Sequence, residues 1–109
     1  MKIVKIAAAL KRLKRIDDEI RYLSCFEQKQ FSSGLIAFKP SKKADPKQIS
    51  HDDQDVICQV LQGSGRLRID GRRIRLVPGT LYHIPKKTPH DFSAARSGEL
   101  VLLYLLIKT

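Results

Sequence analysis

Apolar and polar side chains alternate in short runs through the second half of the chain, and tight turns separate these runs. The alternation predicts strands over residues 56–61, 66–69, 73–76, 80–84 and 90–93, with turns at Gly63-Ser64, Asp70-Gly71 and Pro78-Gly79. Strands this close together are typical of a sandwich or small barrel and not of parallel βαβ units. The pattern therefore predicts an all-β fold.

The pattern before residue 56 is less regular. Residues 21–27 and 31–38 mix aromatic, aliphatic and polar side chains as half-buried strands do, and Ser32-Ser33-Gly34 allows the second strand to bend. Residues 39–55 are polar and include two prolines, so they are predicted to form a long loop. Loops of this length are often functional, which draws attention to His51 near its end.

The N-terminal residues are predicted to lie beside the strands. Residues 2–6 fit a short strand, and the stretch that continues to about residue 16 fits a short helix with Ile6, Leu10 and Leu13 on one face. No linker composition divides the 109 residues, so we expect one domain over residues 1–109. Residues 1–18 would form its N-terminal segment and residues from about 19 to 109 its β-barrel.

Residues 66–76 form the clearest predicted hairpin. Alternation directs Leu67, Ile69, Ile74 and Leu76 to the core. The opposite face then carries four arginines, Arg66, Arg68, Arg73 and Arg75. The chain has 21 Lys and Arg against 11 Asp and Glu, a formal charge of +10, which favours anionic partners without choosing among them.

The last predicted strand, residues 100–107, is apolar on both faces. Such a strand has a core on one side and a second apolar surface on the other, so we expect a homodimer whose interface includes residues 100–107. No apolar run is long enough to span a bilayer, and Lys5 interrupts the only stretch that resembles an export signal. Cys25 and Cys58 lack metal-binding spacing, and we expect reduced, buried thiols and a cytoplasmic location.

Gly79, Pro85 and His90 have the spacing of a known motif: Gly, five residues, Pro, one residue, Gly, two residues, His, three residues, Asn. This is the second motif of the cupin family, which the chain resembles over about residues 45–93. Lys87 stands at the position of the second glycine and Ala94 at that of the asparagine. The resemblance implies a jelly-roll β-barrel, here with a short N-terminal helix.

The first cupin motif is His-x-His, three or four residues, Glu, six residues, Gly. Counting back from Gly63 places Val56 at the glutamate, His51 at the second histidine and Ile49 at the first. The family uses these positions and the histidine of the second motif to hold a transition metal. In this chain two of the four ligand positions are therefore changed.

The resemblance implies a candidate cofactor, a divalent iron, manganese, nickel or zinc ion inside the barrel. His51 and His90 are the candidate metal ligands, and Asp53 or Asp55 is a candidate for the missing carboxylate. Strand alternation, however, points Asp55 to the face opposite Val56. Two protein ligands alone hold transition metals weakly.

The predicted ligand pocket is mostly apolar. Val56, Cys58 and Val60 share one face by alternation, and Phe92 has the same parity as His90. Tyr82 is predicted to belong to the core, and His83, out of register with it, to the surface.

These residues favour a small-molecule-binding cupin that binds or senses a compact polar or anionic ligand. One alternative is a metal-dependent cupin enzyme of the dioxygenase or isomerase type, with His51 and His90 as metal ligands. A second is a basic nucleic-acid-binding protein that uses the arginine face. The chain lacks a recognition helix and an aromatic stacking platform, so we do not expect nucleic acid or membrane partners.

Overall fold

The structure, a computed structural model, describes residues 1–40 and 51–109. A helical turn α1 (Ile6–Ala9) continues into a 3-10 turn (Leu10–Arg12). The strands follow in the order β1 (Lys14–Arg15), β2 (Ile20–Glu27), β3 (Phe31–Phe38), β4 (Gln54–Gln62), β5 (Gly65–Ile69), β6 (Arg72–Leu76), β7 (Leu81–Ile84), β8 (His90–Ala94) and β9 (Leu100–Lys108). Across this described part, no helix is long and apolar enough to cross a bilayer.

The strands form two antiparallel sheets that pack face to face. The larger sheet has the order β1-β2-β3-β9-β4-β7, and the smaller has the order β6-β5-β8. Inward side chains from both sheets share one core, for example Val60 and Leu102 from the larger sheet and Leu67 and Leu76 from the smaller. After β4 the chain passes repeatedly from one sheet to the other, as it does in a jelly roll. The predicted all-β jelly roll is confirmed.

The β5–β6 hairpin shows how local sequence sets the fold. Asp70 and Gly71 form its two-residue turn, with φ of +52° and +70°. Positive φ at both central residues matches the twist of the flanking strands, which is why Asp-Gly is favoured there. Of the four predicted core residues of the hairpin, Ile74 is 38% exposed instead of buried, because β6 is the edge strand of the smaller sheet.

The N-terminal segment differs from the prediction in two ways. Residues 1–5 form no strand, and the helix is much shorter than the predicted stretch to residue 16. The chain is already extended at Lys14, because β1 pairs with the edge of β2 and satisfies its backbone groups there. A helix of one turn cannot present the predicted apolar face, so Leu10 and Leu13 pack against the sheet while Ile6 stays 41% exposed.

Part of the second apolar face of β9 is covered by this N-terminal segment. β9 lies between β3 and β4 in the larger sheet, with Leu100 and Leu102 in the main core. On its other face, Leu103 joins a second small core together with Leu35 and Ala9. On the same face Val101 is buried, whereas Leu105 is only partly buried.

The predicted long loop and the predicted bend are the remaining differences. Residues 41–50 of the loop lie outside the described residues, and its last two residues already belong to β4. The irregularity near Gly34 falls on the partner strand, where the β2–β3 register shifts between Ser24 and Phe26. Gly34 is instead a point of close packing, since a Cβ there would meet the Leu23 carbonyl and lie 2.6 Å from the Tyr104 hydroxyl.

We expect Gly34→Ala to lower the free energy of unfolding by about 1–3 kcal/mol, because the added methyl group overpacks this site. Urea unfolding followed by circular dichroism measures the change. Gly98→Ala is the matched control, since a Cβ at Gly98 would have no atom within 4 Å. Equal losses of stability in the two variants would contradict the close packing at Gly34.

Candidate functional site

A pocket of about 220 Å³ opens between the two sheets near the start of β4. Ile16 and Tyr22, which are both exposed, lie at its rim. Its inner walls come from both sheets: Ile36, Phe38, Val56, Cys58, Phe92, Leu102, Tyr104 and Leu106. The other two lining residues are His51 and His90, so the pocket is an apolar space with imidazoles on one side.

The two imidazole rings lie close together although they are distant in sequence. His90 is the first residue of β8 and only 2% exposed, and His51 is half-buried just before β4. Their ring centroids are 5.8 Å apart, with 35° between the ring planes. The ring of Phe92 contacts His90 edge-on at 5.7 Å. The structure thus places the two candidate histidines in one cavity.

Hydrogen bonds between the start of β4 and the β7–β8 loop fix the position of His51. The Lys87 amide donates to the His51 carbonyl at 2.6 Å. The Asp55 carboxylate accepts from the Lys86 amide at 2.9 Å and lies 3.2 Å from Nε2 of His83. We call these three contacts the Asp55 clamp. His90 follows the same loop, so the clamp sets the distance between the two imidazoles.

The tautomer of His90 follows from its hydrogen bond. Its Nδ1 lies 2.9 Å from the Thr88 carbonyl, and a carbonyl only accepts, so Nδ1 carries the proton and donates. In the neutral ring Nε2 then keeps a lone pair. Burial lowers the pKa of His90, and the nearby His51 lowers it further, while the bond to Thr88 and the charge of Asp91 oppose this shift. His90 is therefore neutral at pH 7 and accepts at Nε2.

Three of the four predicted pocket residues line the cavity. Val56, Cys58 and Phe92 do so, whereas Val60, two residues beyond Cys58 on β4, lies in the closed core. Burial raises the pKa of the Cys58 thiol to about 11, so this cysteine is protonated and unreactive at neutral pH. Both cysteines are free and buried, as predicted.

The predictions for the two residues of β7 are confirmed. Tyr82 packs against the main core beside Cys58, and the His83 side chain is largely exposed.

Sequence reasoning missed the pocket residues on β2, β3 and β9. Ile36 and Phe38 lie on the same side of β3, and Leu102 and Leu106 lie on the same side of β9. The alternation of side chains could therefore have grouped these residues. The register of β3 and β9 pairs Ile36 with Leu102, and it determines which alternate side chains of the two strands face the pocket. That register depends on the fold and not on the local sequence.

Neither candidate carboxylate lines the pocket. Asp53 is exposed, and Asp55 faces away toward His83, as alternation predicted. Within residues 1–40 and 51–109, no group of three or more His, Cys, Asp or Glu side chains could hold a metal ion. Ile49, at the position of the missing family histidine, lies outside the described residues. The described side chains therefore do not fit a complete transition-metal site, which needs at least three protein ligands.

The four predicted surface arginines lie on a different face. Arg66 pairs in register with Arg75, and Arg68 with Arg73, on the outer side of the smaller sheet. Arg68 also forms an ion pair with Asp91 at 2.8 Å. This arginine face is opposite the face of β8 that carries His90 and Phe92 to the pocket.

A family model described as a cupin domain matches residues 34–107. The chain belongs to the cupin family. Its match covers β3 to nearly the end of β9, which includes both histidines of the pocket. No curated protein sequence gives a significant match.

Solved structures show the same fold at low sequence identity. The chain is similar to TT1209 from Thermus thermophilus, with a TM-score of 0.79 and 23% identity over 99% of this chain and 98% of that chain. It is similar to KdgF from Halomonas sp., with a TM-score of 0.74 and 21% identity over 89% and 88% of the two chains. It also resembles a candidate mannose-6-phosphate isomerase from Ralstonia eutropha, with a TM-score of 0.80 and 16% identity over 100% of both.

This cupin keeps the backbone shape of the second motif at a position where its residue differs. Lys87 stands at the second glycine of that motif and has φ of +64°, in the left-handed region where a side chain is unfavourable. The same backbone turn directs the Lys87 amide to the His51 carbonyl. The unfavourable backbone conformation of Lys87 therefore occurs at the residue that links the loop before His90 to His51.

We expect Asp55→Asn to lower the melting temperature at pH 7 by weakening the Asp55 clamp. The hydrogen bond from the Lys86 amide, followed by that of His83, holds the pKa of Asp55 below its usual value. A carboxylate with a lowered folded-state pKa contributes stability above its unfolded pKa of about 3.9 and loses that contribution as pH falls through the folded value. The difference between the variant and the wild type should therefore shrink in acid.

Thermal unfolding at a series of pH values from about 2.5 to 7 measures this difference across the titration of Asp55. Asp52→Asn is the control, because Asp52 is exposed and its carboxylate has no partner among residues 1–40 and 51–109. A difference between Asp55→Asn and wild type that is constant across this range would show that the charge of Asp55 does not support the clamp.

Proposed function

We propose that this cupin binds or senses a small molecule in the pocket of His51 and His90. The observation that carries the proposal is the approach of the two imidazoles to 5.8 Å in a cavity whose other walls are almost entirely apolar. Neutral His90 offers Nε2 as a hydrogen-bond acceptor, and its protonated form would favour an anion. The pocket thus combines an apolar surface with one polar end, as small-molecule sites do.

The size and lining of the pocket define the class of ligand. At about 220 Å³ it is smaller than the roughly 300–1,000 Å³ that is typical of sites for drug-sized molecules. A flat or branched apolar body would pack between Phe38, Phe92 and Leu106. The proposed ligand is therefore a compact molecule with an apolar body and one polar group, either a donor to Nε2 of neutral His90 or an anion that favours the protonated ring.

The alternative is a metal-dependent cupin enzyme that uses the same two histidines. It requires a third protein ligand, and neither Asp53 nor Asp55 supplies one at the pocket. A ligand that itself completes the coordination of a metal ion would restore this alternative. The two functions therefore differ in whether the purified protein carries a stoichiometric metal.

Benzoate is a suitable probe because it combines a compact ring with one carboxylate. We expect isothermal titration calorimetry to show benzoate binding that tightens as pH falls through the His90 titration, by up to about tenfold per pH unit. The sign follows because the pKa of free His90 is lowered, so anion binding favours its protonated form and takes up a proton. His90→Gln, which cannot take up this proton, should weaken binding and remove its pH dependence, whereas His51→Gln should weaken binding because it removes one of the two imidazoles.

Lys29→Gln is the control for these variants, since it removes a basic side chain from an exposed position outside both the pocket and the Asp55 clamp. Benzoate binding that survives both pocket substitutions would exclude His51 and His90 from the site. Elemental analysis of the same untagged preparations tests the alternative. A stoichiometric transition metal that is lost in His51→Gln or His90→Gln would favour the enzyme.

We also propose that the cupin forms a homodimer through the outer face of the larger sheet and acts in the cytoplasm, where its free thiols stay reduced. Ile57 on β4 lies in register between Leu105 of β9 and His83 of β7. Ile57 is 38% exposed and Leu81 is 69% exposed. With Leu105 they form an apolar surface beside the part of the sheet that the N-terminal segment covers, and a two-fold axis would pair this surface with itself.

Ile57→Glu should convert the dimer to a monomer, because each interface would bury two carboxylates without partners. Size-exclusion chromatography with light scattering measures the mass. Ile74→Glu is the matched control, since Ile74 is also 38% exposed but lies on the edge strand of the smaller sheet. A monomeric wild type, or an Ile57→Glu variant that remains dimeric, would exclude this interface.

A further inference from the structure

A groove of about 850 Å³ crosses the outer side of the smaller sheet, on the opposite face from the histidine pocket. Four exposed arginines line it, namely Arg66 of β5, Arg73 and Arg75 of β6, and Arg96 in the loop after β8. Ser64 and Ser93 add hydroxyl groups. The Ala95 amide donates to the Ser64 carbonyl at 2.9 Å, which fixes the loop of Arg96 at one end of the groove.

Repulsion between these arginine side chains lowers the stability of the folded protein unless an anion lies between them. Arg66 and Arg75 are direct cross-strand neighbours, and like charges at such positions repel. The neighbouring pair of Arg68 and Arg73 has a carboxylate beside it, because Asp91 binds Arg68. The side chains of Arg66, Arg73, Arg75 and Arg96 form no hydrogen bond or ion pair within the part of the chain that the structure describes. Their guanidinium groups are available to an external ligand.

Two arginines elsewhere in the fold are paired with carboxylates. Arg21 binds both oxygens of Glu99 at 2.7 Å, and Arg15 pairs with Asp18. Arg66, Arg73, Arg75 and Arg96 instead lie around one groove without a carboxylate partner among the described residues. A guanidinium group donates two parallel hydrogen bonds to a phosphate, so several of them around one groove fit a ligand with several phosphate groups.

We propose that this groove binds a compact oligophosphate, either as a free anion or as the phosphate tail of a nucleotide. The volume of about 850 Å³ is in the range of small-molecule sites. None of the groove-lining residues is aromatic, so the groove offers no surface on which the bases of a single-stranded nucleic acid would stack. It also lacks the helix that most sequence-specific proteins insert into duplex DNA.

Titration calorimetry with inorganic tripolyphosphate at constant ionic strength tests the proposal. We expect saturable binding to one site per chain, and we expect Arg66→Gln/Arg75→Gln to weaken it at least about tenfold, since two charge-assisted contacts are lost. Lys11→Gln/Lys14→Gln is the matched control, because it removes the same charge from exposed positions on the N-terminal segment. This control should change the dissociation constant less than about twofold if the arginines act locally.

A second measurement does not depend on the ligand. Arg75→Gln should raise the melting temperature of the ligand-free protein by a few degrees, because it removes the cross-strand repulsion with Arg66. Tripolyphosphate should stabilise the wild type more than this variant. An Arg75→Gln variant that is less stable than wild type without ligand would show that the arginines do not repel in the folded state.

Three outcomes would overturn the proposal. The first is equal weakening in the arginine and lysine double variants, which would indicate diffuse attraction to the whole basic surface. The second is an absence of tripolyphosphate binding. The third is tighter binding of a single-stranded oligonucleotide than of tripolyphosphate and adenosine triphosphate. If Arg66→Gln/Arg75→Gln also removed this tighter binding, the groove would be assigned to nucleic acid. Similar affinities for tripolyphosphate and adenosine triphosphate would support recognition of the phosphate groups alone.

Discussion

The Asp55 clamp between β4 and the β7–β8 loop is the constraint on which the pocket depends. β4 and β7 are neighbours in the larger sheet, while β8 belongs to the smaller one. The loop from β7 to β8 therefore crosses between the sheets, and the Asp55 carboxylate and the His51 carbonyl hold two of its amides. Because His51 lies on one side of this crossing and His90 on the other, the same contacts that close the fold also position both imidazoles.

The pocket and the arginine groove occupy the two faces of one small sheet. On β8, His90 and Phe92 point inward, and the alternating residues Asp91 and Ser93 point outward. Inward groups lose their hydration and are kept neutral, as the lowered pKa of His90 shows. On the outer face Asp91 is also buried, but it stays paired with Arg68, and the exposed arginines of the groove stay hydrated. One five-residue strand thus separates two environments with opposite electrostatic properties.

The alternation of side chains was sufficient to predict the strands from β2 onward, and the resemblance to the two cupin motifs was needed to predict that His51 and His90 share one site. It could not predict what depends on pairing between distant strands. Val60 lies on the same side of β4 as the pocket residues but beyond the end of the cavity. Ile74 lies on the side of β6 predicted to face the core, but β6 is an edge strand. At the N-terminus, helical propensity was overridden because an unpaired edge of β2 offered hydrogen bonds to residues 14 and 15.

The position of β9 in the larger sheet affects how the protein is made. Among the described strands β9 comes latest in the sequence, yet it lies between β3 and β4 and pairs with both along most of its length. A ribosome therefore releases β3 and β4 well before the strand that joins them is available. Until then these strands have exposed edges, and pairing over such a long separation is slow. Assembly of the sheet must follow synthesis of β9, and the strong positive charge of the chain opposes association between incomplete chains during that interval.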